Sequence, residues 1–447
     1  MTKTLKQRVV KSGSWVIFGH LFSQAMRLGS NLVLTRLLVP EMFGVMAVVS
    51  VIMGGLAMFS DVGLLQNIVQ SKRGEEPDYL NTAWTIQIIR GFVVFMIALL
   101  ASIVLYYLGQ QGYIPQDTVY ANVELPFILA IVSMGAVISG FNSIHLLLLN
   151  RKLMLGKLTL INIVSQVIAI AFMLTWAWYQ RDIWALVFGG LLGSLIKVTL
   201  SHVLNLGERC RFFLDREAIK EIIHFGKWIF IASILGFLLN QGDRLLLGGL
   251  ISPEELGVYT VAFFLANALK SVLTKLISSV FFPVLSETIR KAPENLERIY
   301  YKIRSKVDAI TFFVAGFIFS TGDVIVACLY DARYQEAGWM LEILSLSLLS
   351  TGSLLIGQCF LAQGKSKIVT GFILVQTVIF YVILPFLFFE FGMLGAVWSI
   401  VIATMVRMII SSIYMKIYFF YNIKKELIML PLIFLGYYMG VIGKGFL

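Results

Sequence analysis

Thirteen long apolar runs, separated by short polar segments, constrain the fold of this chain more than any other feature. A helix needs about 20 mostly apolar residues to cross the hydrocarbon core of a bilayer, and a window of about 19 residues identifies such stretches. The runs lie at 13–38, 42–63, 81–108, 124–149, 158–179, 183–206, 225–250, 257–285, 307–330, 338–362, 367–389, 394–419 and 427–443, the last one short. They leave no room for a large soluble domain, so the sequence predicts an all-α polytopic membrane protein.

The composition excludes other classes of protein. Hydrophobic residues make up 58% of the 447 residues and charged residues only 14%, whereas a soluble domain has about half apolar and about a quarter charged residues. The three cysteines, Cys210, Cys328 and Cys359, are far apart and form no CxxC pair, which argues against a disulfide scaffold or a metal site.

The basic residues between the runs are unevenly distributed. The N-terminal tail and the segments after every second run hold 24 Lys and Arg residues, whereas the alternate segments hold four. Arg304 is counted among the 24, because it precedes the run that begins at residue 307. By the positive-inside rule this distribution predicts a cytoplasmic N-terminus. The net charge of +11 suits anionic lipid head groups, and no nucleic-acid motif competes with that interpretation.

The chain also contains an internal repeat at an offset of 213 residues. Pro40-Glu41 and Gly44-Val45 correspond to Pro253-Glu254 and Gly257-Val258. The repeat unit holds six runs, an even number, so both copies enter the membrane in the same orientation and predict two parallel lobes. We expect an N-lobe at 1–206, a cytoplasmic linker at 207–224, a C-lobe at 225–425 and an additional C-terminal helix at 426–447.

Charged residues inside the runs are the candidate functional groups. A basic residue at the centre of a lipid-facing helix costs at least about 2.5–3.5 kcal/mol, so these residues should line a wet cavity or be paired. The excess of cations favours an anionic ligand, with pairing between helices as the alternative. The predicted ligand contacts are Arg27, Arg90, Lys197, Arg244, Lys270 and Arg407. The acids expected to serve in pairing or ion coupling are Asp61, Asp243 and Asp323.

Catalytic motifs are absent from the sequence. It holds no Gly-rich phosphate loop, no HExxH and no GxSxG, and these are the patterns that common nucleotide, zinc and serine enzymes carry. We therefore expect no enzyme activity, no cofactor and no metal.

Several segments in order along the chain resemble one protein family. They are Arg36–Gly44, Phe59–Leu64, Asn81–Trp84, Asp243–Gly248 and Phe282–Leu285. Together they are similar to the bacterial polysaccharide transporters and oligosaccharide-lipid flippases, which belong to the superfamily that also contains the multidrug exporters.

The resemblance implies two six-helix lobes around a central cavity and transport by alternating access. The implied cargo is an undecaprenyl-diphosphate-linked glycan, moved from the cytoplasmic to the periplasmic leaflet for O-antigen, capsule or exopolysaccharide assembly. The implied location is the bacterial cytoplasmic (inner) membrane, and we expect a monomer that contacts membrane lipids and associates loosely with the polymerase of its pathway.

The alternatives are a peptidoglycan-precursor flippase, a cation-coupled multidrug exporter of the same fold and a membrane enzyme. The sequence also leaves open whether H+, Na+ or the membrane potential drives the cycle.

Overall fold

The chain folds into helices joined by short connections. The computed structural model describes residues 5–60, 63–152, 154–204 and 207–445, and these ranges contain no β-strand. Nine helical segments in them are long and apolar enough to cross a membrane, or ten if a pair bent by 63° after Gly140 counts as one span. The predicted all-α polytopic membrane fold is confirmed.

The helices of the first half follow the predicted runs closely. They are α1 (Leu5–Leu37), α2 (Pro40–Phe59), α3 (Leu64–Gln70), α4 (Pro77–Gln110), α5 (Leu125–Gly140), α6 (His145–Arg151), α7 (Leu155–Tyr179), α8 (Trp184–Val203) and α9 (Arg216–Leu247). Proline occupies the first turn of α2, α4 and α5, where its missing N–H costs no hydrogen bond.

The second half contains the remaining helices. They are α10 (Pro253–Leu276), a π-helical turn (Ile277–Phe281), α11 (Phe282–Lys291), α12 (Leu296–Leu329), α13 (Ala337–Ser345), a 3₁₀ segment (Leu346–Ser353), α14 (Leu354–Ala362), α15 (Ser366–Tyr418), α16 (Ile423–Leu427) and α17 (Pro431–Lys444). Helix α15 breaks at Gly392, whose φ of 59° and ψ of −142° are not helical. Such a positive φ favours glycine, and the break separates the two predicted runs at 367–389 and 394–419.

The chain divides into two compact units, Met1–Gly257 and Val258–Leu447. In the first unit α1 packs on α7, α4 on α5, α7 on α8 and α2 on α9. The repeated Pro-Glu-x-x-Gly-Val motif meets its own copy here, since a Cβ on Gly44 would overlap the carbonyl of Pro253 and a Cβ on Gly257 would overlap that of Pro40. The motif glycines therefore permit close packing of two helix starts. The predicted lobe boundaries stay a prediction.

The segment before α9 is held against the first turns of α4. The backbone amides of Arg211, Phe213 and Asp215 donate to Asn81 Oδ1, Thr85 Oγ1 and Thr82 Oγ1 at 2.9–3.1 Å. Asp215 also caps α9 and accepts a 2.9 Å hydrogen bond from Arg73. The Arg73 hydrogen bond and the backbone donors lower the pKa of Asp215, so this contact weakens as the pH falls through that pKa.

In the second unit α12 packs against α11, α13, α16, α17 and the 3₁₀ segment. Its contact with α17 relies on small residues, because a Cβ on Gly316 would overlap the Ile433 carbonyl and one on Gly436 would overlap the Phe313 carbonyl. Small residues let membrane helices approach closely and gain dispersion contacts. The C-terminal helix is thus a packed part of this unit.

Candidate anion-binding site

A cavity of about 600 Å³ lies within the first unit, between α2, α4, α5 and α8. Small residues keep it open, among them Gly54, Gly91, Gly135 and Gly190. Of the described residues that line it, Arg90 alone is charged, and the remaining polar groups are serine hydroxyls and the amide of Gln87. A mostly apolar cavity with a few polar groups is the usual form of a ligand site.

Neighbouring helices position Arg90 and Gln87 in this cavity. The Arg90 guanidinium donates from Nε to Ser60 Oγ at 3.0 Å and from Nη2 to the Ala57 carbonyl at 2.7 Å. Gln87 Nε2 donates to the carbonyl of Gly140 at 2.8 Å. These bonds fix two polar side chains one helical turn apart on α4, facing the same space.

The second unit brings two of the predicted contacts together. Lys270 on α10 lies close enough to Arg407 on α15 for their like charges to repel. Arg407 Nη1 donates to the neutral amide oxygen of Gln376 at 3.1 Å. In the described part of the second unit, neither cation forms an ion pair with a carboxylate. We call Lys270 and Arg407 the cation pair.

Arg304, unlike Lys270 and Arg407, forms ion pairs with carboxylates. The sequence analysis assigned it to a loop, and that assignment is wrong. It was counted with the loop cations, but it lies inside α12 with only 3% of its surface exposed. Its Nε contacts Asp308 Oδ2 at 2.6 Å, and its Nη2 contacts Glu426 Oε2 at 2.9 Å. The predicted run begins too late because Arg304 looks from the sequence like a loop cation, whereas Asp308 and Glu426 neutralise it inside the protein.

The other predicted residues are more dispersed. Arg27 on α1 is exposed and Lys197 on α8 is half-buried. Arg244 Nη1 donates to Gln241 Oε1 at 3.2 Å, next to the buried Asp243. None of these three cations is among the described residues that line the Arg90 cavity.

Two of the predicted acids remain to be placed. Asp323 is exposed and pairs with Lys444 Nζ at 2.7 Å. Asp61 lies outside the described residues.

The sequence analysis missed two polar residues that lie beside the predicted cations. Gln87 and Gln376 are uncharged, so a search for charges within apolar runs passes over them. Gln87 lies three residues before Arg90, and Gln376 lies 31 residues before Arg407. Only the folded chain shows that each glutamine lies beside its cation. A spacing of three on one helix, as between Gln87 and Arg90, is the one signal that could have indicated this for Gln87.

A guanidinium and an ammonium held in apolar surroundings can bind phosphate oxygens. Arginine offers a planar fork that binds two oxygens at once, and lysine offers a point charge. The repulsion between Lys270 and Arg407 would be relieved by an anion between them.

Comparison with known proteins places the chain in a family. Residues 33–339 match the model of a family described as polysaccharide biosynthesis protein. The chain belongs to this family. Among its relatives, the lipopolysaccharide biosynthesis protein WzxC of Escherichia coli (strain K12) is 22% identical over 99% of this chain and 89% of its own length.

Solved structures share the fold of this family member. The lipid II flippase MurJ, in an inward closed conformation, aligns with a TM-score of 0.72 over 92% of this chain and 89% of its own, at 14% identity. An inward-facing multidrug resistance MATE transporter aligns with a TM-score of 0.68 over 88% of this chain and 94% of its own, at 16% identity. At these identities the likeness shows the fold alone.

Proposed function

We propose that this membrane protein is a flippase for a lipid-linked oligosaccharide whose diphosphate binds the half-buried Lys270 and Arg407. The observation that carries the proposal is the cation pair of Lys270 and Arg407, which no carboxylate of the described second unit neutralises. Uncompensated charge in an apolar interior is costly, and a diphosphate supplies the missing negative charge. The family and the named relative support a glycan as the attached group.

The charges argue against the other substrate classes. An exporter of organic cations needs acids to bind its substrate, whereas the cation pair is basic, and so is the charged residue among the described ones that line the Arg90 cavity. The peptidoglycan precursor would satisfy the same cations. The relatives in polysaccharide synthesis favour the oligosaccharide cargo over it.

The remaining features of the proposal follow from the sequence. The N-terminus lies in the cytoplasm of a bacterial cell, the protein resides in the inner membrane, and two parallel six-helix lobes alternate access to the cargo. The cargo is undecaprenyl-diphosphate-linked, and the protein carries out transport without enzyme chemistry. Arg27, Arg90, Lys197 and Arg244 are proposed as further contacts along the cargo path.

Deletion of the gene in its own host tests the proposal. Lipid-linked repeat units should remain on their carrier at the cytoplasmic face, and the exported polymer should disappear. An Arg407→Lys variant should restore export only in part, because it keeps the charge but loses the fork. Lys302→Met, on the exposed surface of α12, is the matched control and should restore export fully.

Three outcomes would contradict the proposal. Normal polymer export without this gene or another flippase would remove the function. Arrest of peptidoglycan synthesis with intact polymer export would indicate the peptidoglycan precursor as cargo. Sensitivity to organic cations alone would indicate a drug exporter.

A further inference from the structure

The C-terminal unit contains a buried charge cluster that the proposed transport function does not use. It consists of Arg304 and Asp308 on α12 and Glu426 on α16, which are 3%, 1% and 6% exposed. Tyr300 completes it, accepting from Arg304 Nη1 at 3.2 Å and donating to Glu426 Oε1 at 3.3 Å. We call these four residues the Arg304 cluster.

The charges of the Arg304 cluster do not balance. One guanidinium faces two carboxylates, so the fully ionised cluster carries one excess negative charge. Both oxygens of Glu426 and Oδ2 of Asp308 accept hydrogen bonds. Within the described chain, Asp308 Oδ1 is buried and has no hydrogen-bond partner. An ionised oxygen without a donor in a buried site costs several kcal/mol.

The space around Asp308 Oδ1 limits what could neutralise it. Gly352 of the 3₁₀ segment lies so close that a Cβ there would overlap Asp308 Oδ1 and come within 2.7 Å of Arg304 Nε. A site without room for a methyl group has no room for a metal ion with its shell of oxygen ligands. A proton is the cation that fits.

Other titratable groups near the cluster do not supply the missing charge. Lys416 on α15 lines an adjoining cavity of about 300 Å³ together with Arg304, Glu426 and Tyr421, but its side chain is exposed. Cys359 on α14 and Tyr300 are neutral in their ordinary protonated forms, and Lys425 pairs with Glu297 at 2.8 Å. The cavity adjoins the cluster at Arg304 and Glu426.

We propose that the Arg304 cluster is a proton-binding site, with one exchangeable proton carried by Asp308 at Oδ1. The proton comes from water in the adjoining cavity, an O–H bond forms at the carboxylate, and release returns the proton to water. Because Glu426 precedes α17 and Asp308 lies on α12, the occupied site joins the C-terminal helix to α12 without excess charge. This site goes beyond the transport function and does not depend on the identity of the cargo.

Infrared difference spectroscopy of the purified full-length protein tests the assignment without any cargo. As the pH is lowered, the wild type should gain the carbonyl stretch of a neutral carboxylic acid in a water-poor environment. Asp308→Asn, which resembles the protonated form in shape and charge, should remove that band. Glu294→Gln, which alters an exposed acid just before the same helix, should leave it unchanged. Replacing potassium by sodium at fixed pH should have no effect.

The opposite results would overturn the proposal. The proposal fails if the band is absent at every pH or if it persists in Asp308→Asn. It also fails if Glu426→Gln removes the band while Asp308→Asn does not, or if sodium abolishes the band. Should Asp308→Asn not fold, the wild-type band and the sodium exchange still decide the matter. A flippase that fails the infrared test would retain its proposed cargo, so the two proposals fail separately.

Discussion

Two arginines of the C-terminal unit, the buried Arg304 and the half-buried Arg407, have opposite electrostatic surroundings. Arg304 contacts two carboxylates at 2.6 and 2.9 Å and a tyrosine hydroxyl at 3.2 Å. Arg407 donates to one neutral amide and lies near the ammonium of Lys270. The chain supplies all the counter-charge that Arg304 needs, and the described second unit supplies no ion-pairing carboxylate for Arg407.

Under the proposed function, the difference separates a structural arginine, Arg304, from a cargo-binding one, Arg407. A charge that the fold neutralises stabilises the native state only together with its partners, and removal of one partner leaves the others buried and uncompensated. A charge that the fold leaves without an acid reduces stability, so its presence indicates another role. For Arg407 we propose that this role is contact with the anionic part of the cargo.

The largest expected effect comes from exchanging each arginine for methionine. Arg304→Met leaves Asp308 and Glu426 buried without a cation and should reduce the free energy of unfolding by about 3–5 kcal/mol. Arg407→Met removes a repelled charge and should leave thermal stability unchanged or raised while abolishing export. Melting temperature and folded yield in detergent, measured beside polymer export, check both. Equal losses of stability in the two variants would contradict the claim that only Arg304 is neutralised by the fold.

A smaller effect is expected from adding a methyl group beside the Arg304 cluster. Gly352→Ala puts a Cβ against Asp308 Oδ1 and should cost about 1–3 kcal/mol, the usual range for overpacking. Gly357→Ala is the matched control five residues away, because its nearest neighbour would be Val369 Cγ1 at an ordinary 3.8 Å. Thermal unfolding of both variants checks the prediction, and an unchanged melting temperature in Gly352→Ala would show that the cluster is loosely packed.

Apolar periodicity and length predicted the membrane fold from the sequence because a bilayer permits few alternatives to helices. The same criterion placed Arg304 outside its helix, since charges that neutralise one another within a protein look from the sequence like a polar loop. It identified Lys270 and Arg407 as cations within apolar helices, but their proximity depends on how the chain folds, because 137 positions separate them. Nothing in the sequence indicated that the amide of Gln376 contacts Arg407.

Binding of farnesyl diphosphate to the purified protein tests the central claim most directly. A charge-assisted hydrogen bond contributes about 1.5–3 kcal/mol, and 1.4 kcal/mol corresponds to about a tenfold change in affinity. The Lys270→Gln/Arg407→Gln double variant should therefore bind at least about tenfold more weakly than the wild type, with its melting temperature retained. The control Lys302→Gln/Lys306→Gln, which removes two exposed charges of α12, should bind as the wild type does. Equal affinity in the wild type and the Lys270→Gln/Arg407→Gln variant would contradict a diphosphate site at the cation pair.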